Sequence, residues 1–159
     1  MSESASILVI DDEESIRRTV SMTLKHAGYV VDTAENGKQA IEKSEANFYN
    51  LALIDIRLPD MEGTELLTAL KETTPRMVKI ILTGYPSLQN AAKAINKGVD
   101  GYLIKPVNTD ELLRFIKENL EKQKHESEYG QQRLAQFVET RFKELQTEEL
   151  DTAKATKKD

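Results

Sequence analysis

Residues 7–14 read ILVIDDEE, so four apolar residues run directly into four carboxylates. An unbroken apolar run is typical of a strand that is buried on both faces of a parallel sheet. Carboxylates are favoured at the start of a helix, because the helix dipole stabilises negative charge there. The stretch therefore predicts a buried strand followed by a helix, in which Glu13 and Glu14 are helix-start charges. For Asp11 and Asp12, taken alone, a helix cap and a cation ligand remain alternatives.

The rest of the chain repeats this order of a short apolar run and a longer amphipathic segment. Four more strands are predicted, each followed by a helical pattern, at residues 29–31, 51–54, 78–82 and 101–104. Such alternation indicates an α/β fold with right-handed crossovers. Five strand–helix units make an open, doubly wound five-stranded parallel sheet, since a closed barrel needs about eight. We predict the flavodoxin-like strand order 2-1-3-4-5.

Composition excludes several classes of function. The 159 residues suit one domain with an appendage, and 22 basic against 27 acidic residues give a net charge of −5, which offers no overall footprint for nucleic acid. The absence of cysteine excludes disulfides, thiolate catalysis and cysteine-ligated metal sites. His26 and His125 lie far apart. We expect a cytoplasmic protein, since there is neither a signal peptide nor an apolar run of membrane-spanning length.

Polar residues stand directly after four of the five predicted strands. Asp11 and Asp12 follow the first strand, Asp55 the third, Thr83 the fourth and Lys105 the fifth. The carboxyl ends of parallel strands meet at one edge of the sheet, where the ligands of open α/β folds bind. We therefore expect these five side chains to converge on one pocket.

Three carboxylates in one pocket repel one another, by about 4 kcal/mol for two unit charges 4 Å apart at an effective dielectric near 20. Such a cluster raises a pKa or holds a cation. Oxygen ligands without His or Cys suit Mg²⁺, which keeps waters and completes its shell with phosphate oxygens. A third carboxylate left free by the ion is a candidate nucleophile, because Asp can form an aspartyl phosphate. Lys105 and the Thr83 hydroxyl would then contact the phosphoryl oxygens.

The sequence resembles the receiver domain of two-component response regulators over residues 4–124. The resemblance rests on four motifs in order and at the usual spacing: IDDEES (10–15), LALIDIRLPDMEG (51–63), ILTGY (81–85) and GYLIKP (101–106). It implies that Asp55 accepts a phosphoryl group from a sensor histidine kinase. It also implies an Mg²⁺ site, whose ligands would be Asp11, Asp12, Asp55 and the backbone carbonyl of Arg57.

The resemblance assigns the remaining site residues as well. Lys105 would contact the phosphoryl group, Thr83 would move toward it, and Tyr102 would rotate inward as the coupled switch residue. The Lys105-Pro106 peptide bond is usually cis in this family. Arg57 and Tyr85 occupy variable positions that border the phosphoryl group and would tune how long it survives.

Rival phosphate-binding and nucleotide-binding families lack their motifs here. Phosphatases of the haloacid dehalogenase type need an Asp two residues after the nucleophile, where this chain has Arg57. Gly37-Lys38 is followed by Gln39 and lacks upstream glycines, so it forms no P-loop. No GxGxxG follows the first strand, and DDEES would repel the phosphate of a flavin.

Residues 125–159 are predicted to be a helical, partly disordered tail. Gly130 is expected to interrupt or end the fifth helix, and residues 152–159 are expected to fray. Between them, an apolar stripe keeps helical spacing: Leu134, Phe137, Val138, Phe142 and Leu145. The stripe would dock on the receiver, pair with a second copy or bind a partner protein; the alternative is a weakly structured tail without a role. The tail is too short for a winged-helix or catalytic output domain.

We therefore expect a stand-alone receiver that is not an enzyme acting on a separate substrate. Its output would be a switch in protein contacts with a downstream target, through the face formed by the fourth helix, the fifth strand and the fifth helix. A homodimer could form through that face or through the tail. The alternative is a phosphorelay intermediate or phosphate sink between histidine proteins, and a DNA-binding regulator is a distant third. Neither nucleic acid nor membrane is expected as a partner.

Overall fold

The computed structural model describes residues 4–156 of the chain. Five strands and five helices alternate in sequence. The strands are β1 (Ser6–Ile10), β2 (Val30–Ala34), β3 (Leu51–Ile54), β4 (Val78–Thr83) and β5 (Gly101–Ile104). The helices are α1 (Glu14–His26), α2 (Gly37–Ala46), α3 (Gly63–Ala69), α4 (Leu88–Asn96) and α5 (Thr109–Thr156).

The five strands form one parallel sheet in the order β2-β1-β3-β4-β5, which confirms the predicted topology. In the pairing of β1 with β3, Ile10 lies opposite Ile54. The chain therefore leaves both strands at the same level, so that Asp11 and Asp55 emerge side by side. The sheet register alone therefore places Asp11 and Asp55 next to one another at the carboxyl edge of the sheet.

The central strands are covered on both faces, as their unbroken apolar runs predict. Alternate residues of β1 belong to separate clusters: Ile7 and Val9 pack with Leu24 and Ile116, and Leu8 packs on the other face, with α3 residues. Residues Ile7–Ile10 of β1 and every residue of β3 and β4 are buried, which requires a layer of helices on each side of the sheet.

Local capping fixes where several helices begin and end. Gly28 (φ 101°) and Gly98 (φ 82°) follow the ends of α1 and α4 in the left-handed conformation that favours glycine. The side chain of Asn36 accepts a hydrogen bond from the Gln39 amide and so caps α2. Both Lys105-Pro106 and Thr74-Pro75 are cis, and the first of these agrees with the expectation from the family resemblance.

The prediction that Gly130 interrupts or ends the fifth helix is wrong, because α5 runs unbroken from Thr109 to Thr156. One glycine costs a helix about 1 kcal/mol relative to alanine, and the strong helix formers around it outweigh that cost. Of the segment predicted to fray, residues 152–156 are helical, and 157–159 lie outside the described residues.

The chain divides into two units, of which the first ends at Gln123 and the second begins at Lys124. At the end of the first unit, the Gln123 amide donates hydrogen bonds to the backbone carbonyls of Asn50 (3.0 Å) and Arg76 (2.7 Å). Within residues 4–156, no helix is both long enough and apolar enough to cross a membrane.

Candidate functional site

Three carboxylates meet where β1 and β3 end. Asp11 and Asp55 are buried, each with 3% of its surface exposed, and Asp12 is exposed. One carboxylate oxygen from each residue lies within 4.8 Å of the others. The backbone fixes this arrangement, because the Asp11 amide donates to the carbonyl of Ala34 and the Asp55 amide to that of Ile10. The predicted convergence of Asp11, Asp12 and Asp55 is therefore present in the structure.

Lys105 reaches the same pocket from the end of β5. Its ammonium Nζ lies 2.5 Å from Asp11 Oδ2 and 3.4 Å from Asp55 Oδ2. Burial by itself lowers the pKa of Lys105, but the hydrogen bond to Asp11 and the charges of both carboxylates raise it above its usual value. Lys105 thus stays cationic and offsets part of the negative charge.

The ionised form of Asp55 is disfavoured in the pocket. Burial raises the pKa of its carboxyl group and the Asp11 charge raises it further, while Lys105 acts in the opposite direction without cancelling the rise. Its Oδ1 atom is buried and has no hydrogen-bond partner among the described residues. An unpaired buried oxygen is costly unless a cation or a donor arrives, so this atom is ready to bind one.

The donor set fits Mg²⁺. The candidate ligands are carboxylate oxygens, with neither sulfur nor imidazole among the clustered residues, and hard oxygen donors suit a hard ion. The unpaired Asp55 Oδ1 is a free ligand atom within that set. Arg57 lies two residues after Asp55, and its backbone pairs with that of Glu62 in a single antiparallel β-bridge.

Thr83 and Tyr102 lie on β4 and β5, beside the pocket. Thr83 is fully buried, and its hydroxyl oxygen accepts a hydrogen bond from the Tyr85 amide at 3.1 Å. Tyr102 pairs with Ile81 in the sheet register, and its ring packs against the apolar cluster on that face. The Tyr102 hydroxyl is buried and lacks a hydrogen-bond partner within the described part of the chain.

Arg57 and Tyr85 contact one another at the rim of the pocket. The guanidinium carbon of Arg57 lies 3.9 Å from the centroid of the Tyr85 ring, a cation–π geometry. Tyr85 is 48% exposed, so the stacked pair faces solvent. Arg57 and Tyr85, which follow Asp55 and Thr83 by two residues each, are therefore joined in one contact.

Three residues that support the site were not predicted from the sequence. The Asp60 carboxylate accepts hydrogen bonds from the Gly37 and Lys38 amides, both at 2.9 Å, which lowers its pKa and ties the loop after β3 to the start of α2. Arg17 donates to the carbonyl of Asp11 at 2.8 Å. Gly63 packs directly on the backbone of Asp55. The PDMEG motif contains Asp60 and Gly63, but its sequence does not indicate which other residues they contact.

Comparison with known proteins agrees with this geometry. The family model for the response regulator receiver domain matches residues 7–117. The transcriptional regulatory protein ZraR of Klebsiella oxytoca is 38% identical over 118 residues, which are 74% of this chain and 27% of ZraR. The response regulator ArlR of Staphylococcus saprophyticus is 34% identical over 119 residues, which are 74% of this chain and 53% of ArlR.

A solved structure shows the same resemblance over almost its whole length. It is a CheY-like response regulator receiver domain protein from Methanospirillum hungatei JF-1, with 45% sequence identity and a TM-score of 0.75. The match covers 78% of this chain and 99% of that protein. By contrast, the match to the curated relatives spans about half of their length or less.

Proposed function

Because this chain belongs to the response regulator receiver domain family of two-component systems, we propose that its residues 4–124 form a phosphoacceptor domain. In this proposal Asp55 accepts a phosphoryl group from a sensor histidine kinase. The observation that carries it is the buried Asp55 carboxylate, whose Oδ1 is unpaired and which lies beside Asp11, Asp12 and Lys105. Residues 125–159 form the tail.

The transfer forms one bond and breaks one. An Asp55 oxygen bonds to phosphorus, the bond from phosphorus to the donor imidazole nitrogen breaks, and that nitrogen keeps the electron pair and takes up a proton. Lys105 neutralises the negative charge on the phosphoryl oxygens, and the Thr83 hydroxyl donates a hydrogen bond to one of them. Phosphoryl transfer depends mainly on such positioning and charge compensation.

We propose that Mg²⁺ is held by Asp11, Asp12, Asp55 and the backbone carbonyl of Arg57. When bound, the ion supplies charge neutralisation for the phosphoryl oxygens. The stacked side chains of Arg57 and Tyr85 lie at the rim, where they would limit the access of water to the phosphorylated Asp55.

The output we propose is a contact with another protein. Within these 159 residues, the part that follows the receiver is helical through Thr156 rather than a DNA-binding or catalytic domain. Exposed apolar side chains lie on α4 (Leu88, Ile95) and at the end of β5 (Ile104). Phosphorylation would act through Thr83 and Tyr102 to change this surface. A relay to a second histidine protein remains the alternative output.

The test of this function uses acetyl phosphate as a small phosphoryl donor. The native chain is incubated with it, with and without Mg²⁺, and its intact mass is measured. We expect a single phosphoryl adduct that forms only when Mg²⁺ is present. If no adduct forms and no beryllofluoride complex forms either, the phosphoacceptor function is wrong, because rapid hydrolysis would still permit the beryllofluoride complex.

Tyr102→Phe is expected to stabilise the folded chain by about 1 kcal/mol, because the Tyr102 hydroxyl is buried without a partner. Urea unfolding followed by circular dichroism measures the free energy of unfolding. The matched control is Tyr129→Phe, whose side chain is exposed and whose replacement should change stability by less than about 0.5 kcal/mol. A loss of stability in Tyr102→Phe would show that the hydroxyl has a hydrogen-bond partner in solution.

A further inference from the structure

The second unit presents an apolar stripe to solvent. We call Leu134, Phe137, Val138, Phe142 and Leu145 the tail stripe; these residues follow helical spacing along α5. Their exposed fractions lie between 44% and 68%. Five large apolar side chains on one helix form a contiguous patch of the kind that marks a protein interface rather than scattered surface residues.

The helix also needs a packing partner for its own stability. An isolated helix is marginal in water, and most helical stability in proteins comes from packing an amphipathic face. Every residue from Glu128 to Lys154 is exposed, and Gly130 adds an unfavourable residue. Ion pairs within the helix, Lys143 with Glu139 and Arg141 with Glu144, are solvent-exposed and contribute little. Burial of the tail stripe is therefore needed to keep this segment helical.

The size of the tail stripe matches what a dimer requires. Its five side chains expose on the order of 500 Å² of apolar surface, given that one aromatic side chain can bury about 150–250 Å². Two copies would together remove on the order of 1,000 Å² from water through these side chains alone. With flanking residues added, the interface reaches the range of about 1,200–2,000 Å² that specific interfaces bury.

The charges around the tail stripe select a second copy as the partner and set its direction. Residues 131–143 contain three basic residues and one acidic residue, whereas residues 144–153 contain four acidic residues and no basic residue. Parallel pairing of two copies would oppose like charges. Antiparallel pairing centred on Phe142 instead places residues 131–141 of one copy, with two basic residues and one acidic, against residues 143–153 of the other, with one basic residue and four acidic. We propose that two copies of this chain form a homodimer through antiparallel pairing of their tail stripes, independently of phosphorylation.

Val138→Glu tests the interface in the full chain. Its side chain is exposed in the single copy, so the receiver should fold normally, but each dimer would bury two uncompensated charges. We expect dimerisation to weaken about 100-fold or more, as measured by sedimentation velocity over a concentration series without phosphorylation. Thr140→Glu adds the same charge on the opposite side of the helix and should leave the dimer intact.

Two results would overturn the proposal. The first is a native chain that stays monomeric at all concentrations, which would mean that another partner covers the tail stripe. The second is a dimer that Val138→Glu and Thr140→Glu affect equally, which would place the interface elsewhere. Circular dichroism distinguishes these cases from a misfolded variant, because the receiver contributes all of the sheet signal.

The antiparallel direction is tested separately by cross-linking, which the cysteine-free sequence makes simple. Gln131→Cys and Ala153→Cys place single thiols near opposite ends of the paired segment. When the two variants are mixed and treated with a short bis-maleimide, we expect the cross-linked product to contain one copy of each, identified by intact mass. Cross-links between two copies of the same variant would instead show parallel pairing and would contradict the antiparallel direction inferred from the charges.

Discussion

Asp55→Asn is expected to abolish the phosphoryl adduct completely and, in the absence of Mg²⁺, to stabilise the folded chain. The amide cannot act as the nucleophile in phosphoryl transfer, so no adduct should be seen by intact mass after incubation with acetyl phosphate and Mg²⁺. In the native chain, the Asp55 carboxylate is a buried charge that faces Asp11, and its Oδ1 atom has no hydrogen-bond partner among the described residues. The substitution removes this charge. Relief of that strain is worth about 1–3 kcal/mol at neutral pH.

The stability gain depends on pH in a defined direction. Burial first, and then the Asp11 charge, raise the pKa of Asp55 above its value in the unfolded chain. Between the two pKa values the folded chain binds more protons, so this carboxyl group makes the native protein less stable as pH rises through its folded pKa. The advantage of Asp55→Asn should therefore be greatest above the folded pKa of Asp55 and disappear as pH falls below the ordinary carboxyl value of 3.8, in urea titrations at several pH values with a chelator present.

The control for both readouts is Asp110→Asn, at an exposed carboxylate in the first turn of α5. It should keep the adduct and change stability by no more than about 0.5 kcal/mol. An adduct that persists in Asp55→Asn would move the acceptor to another residue. A less stable Asp55→Asn, at neutral pH without Mg²⁺, would contradict the charge repulsion inferred between Asp55 and Asp11.

Much of the site followed from sequence because strand ends are easy to locate. An unbroken apolar run marks a buried strand, and parallel strands end at one edge, so Asp11, Asp55 and Lys105 could be placed together without side-chain contacts. The side-chain distances confirm that placement. The sequence carried this information because each residue lies next to the element that positions it.

Other features depend on distant contacts and left no local pattern. Helical spacing located α4, but it could not show that Leu88 and Ile95 are exposed rather than buried. The role of Asp60 depends on the start of α2, more than twenty residues earlier in the chain. Helix α5 continues through Gly130 because the summed helix propensities of the surrounding residues outweigh the cost of one glycine, and this sum is not evident from the glycine alone.

Gly63 is the site residue whose requirement is steric, because it lies against the backbone that carries Asp55. A Cβ atom at this position would lie 1.9 Å from the Asp55 carbonyl oxygen and 2.9 Å from the Ile56 Cα. These contacts are with backbone, which cannot rotate away as a flexible side chain would. The Gly63 amide also donates to the Ile56 carbonyl at 2.6 Å, so the turn cannot open without losing that hydrogen bond.

We therefore expect Gly63→Ala to destabilise the chain by about 3 kcal/mol or more, the range for overpacking combined with a broken buried hydrogen bond. Urea unfolding gives the stability, and the yield of adduct from acetyl phosphate reports the position of Asp55. Gly84→Ala is the matched control beside the same pocket, because its Cβ would meet Lys105 Cδ at 3.9 Å, an ordinary contact. If Gly63→Ala were as stable and as readily phosphorylated as Gly84→Ala, the loop after β3 would be free to shift, and its close packing would not be what positions Asp55.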